Sequence, residues 1–321
     1  MSQYTLVADV GATNARFALL LEGDAGLQEV KVLPCADYPS LQAAVQAYLA
    51  SVNAPGSLTA ACIAIAGAVH LPVFELANNH WQVDKAQVNK SLAVDALWVN
   101  DFTAQAWAMS KVAQADLLQI KQGQAVAAGN RLVIGPGTGL GVAGLVAHGE
   151  GWLPVMGEGG HVSLAPENQL QNDILAYMWC QHKHVSVERL LSGPGIMNLY
   201  AAVAHVQGLT PQLSHPAQVL KQAQLPLPNP LAAQTLAQFC AMLGHAVGNA
   251  ALLYGAVGGV YLTGGILPRM TNFLKESEFV HSFTEKGRLN SYLQEIPIYL
   301  CQAEQPGLQG AAIALQQSLR S

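Results

Sequence analysis

Apolar residues recur along this chain in two rhythms. Short runs of Val, Leu, Ile and Ala mark strands at residues 4–10, 15–21, 60–66, 96–100, 132–136, 141–147, 258–263 and 296–300. Between them, "SLQAAVQAYLA", "FTAQAWAMSKVA", "NQLQNDILAYMWCQ" and "GLQGAAIALQQSL" place apolar residues at the spacing of a helix with one buried face. The early strands form a meander and the later ones alternate with helices. That order predicts an α/β architecture with mixed sheets.

One pattern occurs twice. "LVADVGATNARFALL", from Leu6, reads as a strand, a tight turn and a returning strand, and "LVIGPGTGLGVAGLV", from Leu132, repeats it with Gly137 in the place of Gly11. Two such hairpins suggest a duplicated core whose halves each offer a glycine loop to one ligand. Glycine lets the backbone approach closely, consecutive N–H groups face inward, and a Thr hydroxyl adds a donor, which is the composition of a phosphate cradle. Asp9 interrupts the first apolar run. Beside phosphates its carboxylate would hold Mg²⁺ or its waters; the competing reading is a hairpin whose Asp caps its own turn. The second loop, Gly135 to Gly141, would take another part of the same polyphosphate through Thr138. A third turn, Gly264 and Gly265, follows strand "GVYL", where a nucleotide's sugar and base would rest. "GLGVAG" fits GxGxxG, but β-prone "VAGLVA" follows where a dinucleotide fold needs a helix, and GxxxxGK is absent.

Composition narrows the picture. A chain of 321 residues is large for one core, so two domains are expected. With 51% hydrophobic and 11% charged residues it suits a well-buried globular protein and argues against disorder. A net charge of -5 offers no general attraction for nucleic acid, so an anionic substrate must be met locally by backbone donors and a metal. Five cysteines without a CxxC pair suggest neither zinc nor disulfides and read as reduced, cytosolic core residues. "MSQY" leaves no room for a signal peptide ahead of the first strand. No Asp, Glu, Lys or Arg occurs between Lys221 and Arg269, a stretch long enough to span a membrane. Pro226, Pro228 and Pro230 lead into it and His245 and Asn249 interrupt it, so it reads as a buried helix followed by a short strand.

Three further segments carry candidate chemistry. "ALWVND" puts Asn100 and Asp101 at the carboxyl end of a buried strand, where open α/β sheets place ligands; alternatively Asp101 only caps the following helix. "GEGGH" supplies Glu158 and His161, which together accept and donate hydrogen bonds as a hydroxyl-rich neutral ligand requires; alternatively it is a surface turn. "SVERLLSGPG" predicts a helix from Ser186 with Glu188 in its first turn, where the carboxylate either meets a ligand or favours the helix's positive end.

Taken in order, "DVGATNAR", "NDFTA", "GPGTGLG", "GEGGH", "ERLLSGPG" and "TGGI" resemble the bacterial glucokinases, within the sugar kinase, Hsp70 and actin superfamily. The resemblance runs from Tyr4 to about Gly310. It implies a two-domain, ribonuclease H-like α/β fold with duplicated mixed sheets and an interdomain cleft, the small domain at 1–110 plus 301–321 and the large at 111–300. It implies ATP-dependent phosphorylation of D-glucose at its 6-hydroxyl, with Mg²⁺, by a cytoplasmic homodimer. Residue by residue, Ala8, Asp9, Val10, Gly11, Ala12 and Thr13 match the first phosphate loop, Gly137 and Thr138 the second, and Gly265 the nucleotide turn. Asn100 and Asp101 match the sugar-binding and catalytic pair, with Asp101 as general base, and Glu158, His161 and Glu188 match the remaining sugar contacts. Asp9 would organise Mg²⁺ through water.

Two departures stand out. Ala12 replaces a family glycine, so a turn needing positive φ there would be strained by about 1 kcal/mol. Leu71, Pro72 and Val73 stand where the family tends to place Gly and Asp, although Asn78 matches. Two rival functions share the fold. One is a kinase for another hexose or an amino sugar. The other is a sugar-responsive regulator, which would need a DNA-reading domain before the first strand.

Overall fold

The computed structural model describes residues 3–21, 26–54, 56–76, 79–149 and 151–319; Asn78 lies outside them. The strands are β1 (Gln3–Val10), β2 (Asn14–Leu21), β3 (Gln28–Pro34), β4 (Ser57–Ile65), β5 (Val73–Glu75), β6 (Gln82–Asp84), β7 (Ala96–Asn100), β8 (Leu117–Lys121), β9 (Arg131–Pro136), β10 (Leu140–His148), β11 (Gly151–Gly157), β12 (Val260–Leu262) and β13 (Ile298–Cys301). The helices are α1 (Leu41–Ala50), α2 (Lys85–Leu92), α3 (Asp101–Ser110), α4 (Gln169–Trp179), α5 (Gly193–Val206), α6 (Pro216–Ala223), α7 (Pro230–Tyr254), α8 (Thr271–Glu276), α9 (Phe279–Thr284), α10 (Asn290–Gln294) and α11 (Pro306–Ser318). The chain folds as two compact units, Met1–Val112 with Ala303–Ser321, and Ala113–Gln302.

In the first unit a five-stranded sheet has the order β3-β2-β1-β4-β7. The first three strands are an antiparallel meander, and β4 and β7 run parallel to β1. Both faces are covered, which is why β1 reads as nearly continuous apolar sequence. Leu6, Ala8 and Val10 face a core with Phe17, Ile63, Trp81 and Tyr48 of α1, while Val7 faces Ala104 of α3 and Leu308 and Ala311 of α11. Phe17 stacks on Tyr48 with ring centroids 5.1 Å apart. Helix α11 touches the backbone of α3 at Gly310, where a Cβ would fall 1.6 Å from the Ala104 carbonyl oxygen.

The second unit holds a six-stranded sheet, β11-β10-β9-β12-β13-β8. Again three strands form an antiparallel meander and two follow parallel to the meander's first strand, with β8 added antiparallel at the edge. The first five positions therefore repeat the topology of the other sheet, which is the duplication that the paired hairpins predict. Helix α7 supplies Leu236, Phe239, Leu243 and Val247 to the core and packs on Phe279 and Phe283 of α9. It is the one helix among the described residues long and apolar enough to cross a membrane, and 61% of its most apolar window is buried inside the protein. The stretch free of Asp, Glu, Lys and Arg is thus a core helix leading to short strand β12.

Two expectations need correction. Cys180 is exposed, whereas Cys35, Cys62, Cys240 and Cys301 are buried. No α-helix begins at Ser186: residues Val187–Arg189 form a single 3-10 turn, and α5 begins only at Gly193, capped by Ser192 Oγ accepting the Gly195 N–H at 3.0 Å. Gly193–Pro194 at the helix start and the small Gly195 let the chain reset its direction there.

Candidate active site

The turn between β1 and β2 has its carbonyls held from outside. Gly11 O accepts from Cys35 Sγ at 3.6 Å, Ala12 O from Asn79 Nδ2 at 2.9 Å and Thr13 O from the Cys35 N–H at 2.9 Å. Gly11 N–H closes the turn on Asn14 O at 3.0 Å. The N–H groups of Ala12 and Thr13 have no partner among the described residues, so the turn presents two adjacent backbone donors and the exposed Thr13 hydroxyl. Such a nest suits a phosphate. Ala12 is not among the described non-glycine residues with positive φ, which are Glu29, Ala93 and Gln305, so a positive-φ strain at Ala12 is absent.

Asp9 lies opposite Arg16 in the β1–β2 register, and Arg16 Nη1 donates to Asp9 Oδ2 at 3.4 Å. It does not cap its own turn. It shares the face of Val7, toward α11, and Gly307 in that helix's first turn leaves it space: a Cβ at Gly307 would lie 2.4 Å from Asp9 Cγ. Burial pushes the Asp9 carboxyl up from its ordinary range, and the Arg16 guanidinium pulls it part of the way back. The side chain keeps 16% exposure. A single carboxylate beside free phosphate donors fits Mg²⁺, which binds through one or two carboxylates, phosphates and waters.

Asn100 and Asp101 stand at the same, carboxyl, end of this sheet's parallel strands. Val10 is level with Ile65 on β4, and Ile65 with Asn100 on β7. Two strand spacings therefore separate the glycine turn from Asn100, on the order of 10 Å. The cap of α3 is Asn100, not Asp101: its Oδ1 accepts the N–H groups of Phe102 at 2.9 Å and Thr103 at 3.2 Å. The cap fixes the orientation of the amide and turns its Nδ2 donors to other partners. Asp101 is the first helical residue, where a negative charge suits the positive helix end, and its Oδ1 shares the Phe102 N–H at 2.9 Å.

In the second unit the turn between β9 and β10 repeats the first. Gly137 N–H bonds to Gly139 O at 2.7 Å, Gly137 O accepts the Gly193 N–H at 2.8 Å, and Thr138 and Gly139 N–H have no partner among the described residues. Gly264, with φ +84°, backs this loop; a Cβ there would lie 2.4 Å from Pro136 O. Gly265 beside it has open space. "GLGVAG" runs into β10, so it is no dinucleotide turn.

Glu158 precedes and His161 ends the 3-10 turn Gly159–His161, which lies against β10 so closely that a Cβ at Gly160 would meet Leu140 O. This loop is laced to the segment carrying Glu188. Leu164 N–H donates to Val185 O at 3.0 Å, Val187 N–H to Val162 O at 2.9 Å, and His184 Nε2 to His161 O at 3.0 Å. His161 and Glu188 line one cavity of about 490 Å³ with His182, His184 and Arg189. Within each unit, then, the residues expected in the site come together: Ala8 to Thr13 with Asn100 and Asp101 in one, Gly137, Thr138, His161 and Glu188 in the other. Sequence reasoning missed Cys35 and Asn79, which hold the first loop, and the holding role of Gly193; of these only Gly193, inside "SGPG", carried a local signal.

Two repeats of one meander, each with a glycine turn and paired backbone donors between its first two strands, and in the first unit an Asn–Asp step at the carboxyl end of a parallel strand, define a sugar kinase of the actin-like ATPase fold. The family model described as Glucokinase matches residues 6–318. The glucokinase of Hahella chejuensis is 43% identical over 316 residues, covering 98% of both chains. A crystal structure of glucokinase from an Antarctic psychrotroph superposes with a TM-score of 0.86 at 38% identity, over 98% of this chain and 99% of that one. A ROK family glucokinase from Streptomyces griseus, solved with glucose and AMPPNP, shares the fold at 18% identity, with a TM-score of 0.62 over 98% and 99% of the two chains. The chain belongs to the glucokinase family, and its reaction is the ATP-dependent phosphorylation of glucose.

Proposed function

We propose that Asp101 is the general base of this reaction, taking the proton of the glucose 6-hydroxyl as phosphoryl transfer proceeds. The observation that carries this reading is the register Val10–Ile65–Asn100, which sets the first glycine turn and Asp101 at the carboxyl ends of parallel strands, within the reach of a sugar and a terminal phosphate. Asn100 supplies the cap of α3 by itself, accepting both Phe102 and Thr103 N–H groups, so the helix does not depend on Asp101 for its cap. The Nδ2 donors of Asn100 hold a sugar hydroxyl. Glu158, His161 and Glu188 hold the others, supported by the lacing of their two loops and the cavity that two of them share.

Ala8 to Thr13 take one part of the ATP phosphates and Gly137 with Thr138 another, each through two unpaired N–H groups and a Thr hydroxyl; Gly265 borders the rest of the nucleotide. Asp9 is the residue that would hold Mg²⁺, through water. The ion supplies charge neutralisation on the transferring phosphoryl group. The protein acts as a cytoplasmic homodimer. Edge strand β11, with Leu153, Val155 and Met156 exposed, offers a surface for self-pairing in the second unit.

A coupled kinase assay across glucose, mannose, fructose, galactose and N-acetylglucosamine, with ATP, ADP and polyphosphate as donors, tests the substrate assignment. Glucose with ATP should give the highest kcat/KM, and chelation of Mg²⁺ should abolish it. A higher value for another sugar would reassign the acceptor. Light scattering on the purified protein checks the dimer, and a monomer at micromolar concentration rejects it.

A further inference from the structure

Gly139 has no room for a side chain because a carboxylate fills the space. A Cβ there would lie 2.5 Å from Glu188 Oε2 and 3.2 Å from its Cδ. The same oxygen accepts the Leu140 N–H at 2.8 Å. Oε1 stands farther away, 3.8 Å from that position, and makes no hydrogen bond among the described residues. Glu188 is anchored through its own backbone, its carbonyl accepting Ser192 Oγ at 2.9 Å. Five residues after Glu188, Gly193 N–H holds Gly137 O at 2.8 Å. The second phosphate turn is therefore braced on both sides by one short segment, at Gly137 by backbone and at Leu140 by the Glu188 carboxylate.

We propose that Glu188 is a positioning residue for the second phosphate turn as well as a sugar contact, and that it couples glucose binding to nucleotide binding. The inference rests on the assignment of Glu188 to the sugar and of Gly137 and Thr138 to the phosphates. A carboxylate has lone pairs on both oxygens and can serve two sets of donors at once. With Oε2 committed to Leu140, a sugar hydroxyl on Oε1 fixes the remaining side-chain freedom and with it the turn. Phosphates on the turn fix Oε2 and leave Oε1 preset for the sugar. Whichever ligand arrives first bears the ordering cost for both, so each tightens the other by one common factor.

Calorimetric titration of glucose and ADP, each alone and each with the other saturating, reads that factor directly. In the wild type each ligand should tighten the other by about 5-fold or more, and by the same amount in both orders. Glu188→Ala should weaken both ligands by about 10-fold and bring the coupling factor to one. Glu188→Gln keeps a carbonyl oxygen for Leu140, so ADP should bind within about 3-fold of the wild type while glucose weakens. Gly139→Ala, within the phosphate turn, should weaken glucose by displacing Glu188. A wild-type factor of one overturns the proposal, whatever the variants do. Loss of glucose affinity alone in Glu188→Ala overturns the brace but leaves the sugar contact standing. Loss of ADP affinity alone removes Glu188 from the sugar site and overturns the coupling with it.

Discussion

The two glycine turns occupy equivalent places in two sheets of equal topology, yet they are furnished differently. The first is held by neutral groups, a cysteine and an asparagine, and its strand carries the largely buried acid Asp9, which keeps 16% side-chain exposure. At the same end of the sheet, two strands away, stands Asp101. The second has no acid on its own strands at the turn, and the carboxylate that reaches it arrives from Glu188 and is occupied by a backbone N–H. On the proposed assignment the two turns of the repeated topology have separate duties: the first unit would carry the groups that act on charge and protons, the second the groups that hold and align. Variants in the first unit should therefore lower turnover, and variants in the second should raise KM.

The sharpest test is Asp101→Asn. Asn100 keeps the cap, so the folded state should be retained, and the amide keeps a hydroxyl contact. Turnover should fall about 10² to 10⁴-fold, roughly 3 to 5 kcal/mol of barrier, with glucose affinity changed only modestly. Near-normal turnover on a folded variant, with glucose binding followed by calorimetry, would remove Asp101 from the mechanism.

Asp9→Asn should also cut turnover, by about 10²-fold, and should change stability in the opposite direction. Burial raises the Asp9 carboxyl, so the native state favours its neutral form. That stabilisation is complete below the ordinary carboxylate range and is lost as pH rises through the raised native value. At pH 8 without metal or nucleotide, the Asn variant should melt higher than the wild type, and the gap should close as pH falls toward 4. Melting curves at several pH values decide; a variant that melts lower at pH 8 shows that the Arg16 pairing outweighs burial.

On the other side of the comparison, His161→Gln should act on binding. His161 is exposed on its loop, and the loop's lacing to Val185 and Val187 uses other residues' backbone. Glucose KM should rise by about 10-fold, with kcat within about 3-fold. An equal fall in kcat and kcat/KM would move this residue to the chemical side and break the division between the units.

Legibility in the sequence divides along the same physical line. The central strands β1, β4, β9 and β10 announce themselves because both of their faces are buried. β3, "QEVKVLP", and β11, "GWLPVMG", do not. They are edge strands, largely exposed, one rich in charge and one interrupted by Pro154, and their pairing is imposed by β2 and β10 rather than by their own pattern. The glycine turns were legible as composition. Their supports were not, because Cys35 reaches Gly11 from 24 residues away and Asn79 reaches Ala12 from 67. The turn at Ser186 failed as a helix for a related reason: backbone pairing with Val162 holds Val187 against the neighbouring loop, and tertiary contact wins over helical spacing.

The smallest expected effect tests whether the two turns differ in backbone conformation as well as in furniture. Neither Ala12 nor Gly137 has positive φ, and a Cβ at Gly137 would meet nothing within 4 Å. Both positions therefore accept alanine, and the difference between them lies in the unfolded chain, where glycine has more freedom to lose. Ala12→Gly should destabilise by about 0.4 to 1 kcal/mol, and Gly137→Ala should stabilise by a similar amount. Each shift corresponds to only a few degrees or less in the melting temperature, so the pair is best read by denaturant titration, where opposite changes in midpoint at constant slope are the expected result. ATP affinity should stay within about 2-fold for Ala12→Gly, because the N–H groups of residues 12 and 13 remain and Asn79 still holds the carbonyl of residue 12. Tighter nucleotide binding or a raised midpoint in Ala12→Gly would mean that the methyl strains the first turn after all, and the two turns would then differ in shape and not only in what surrounds them.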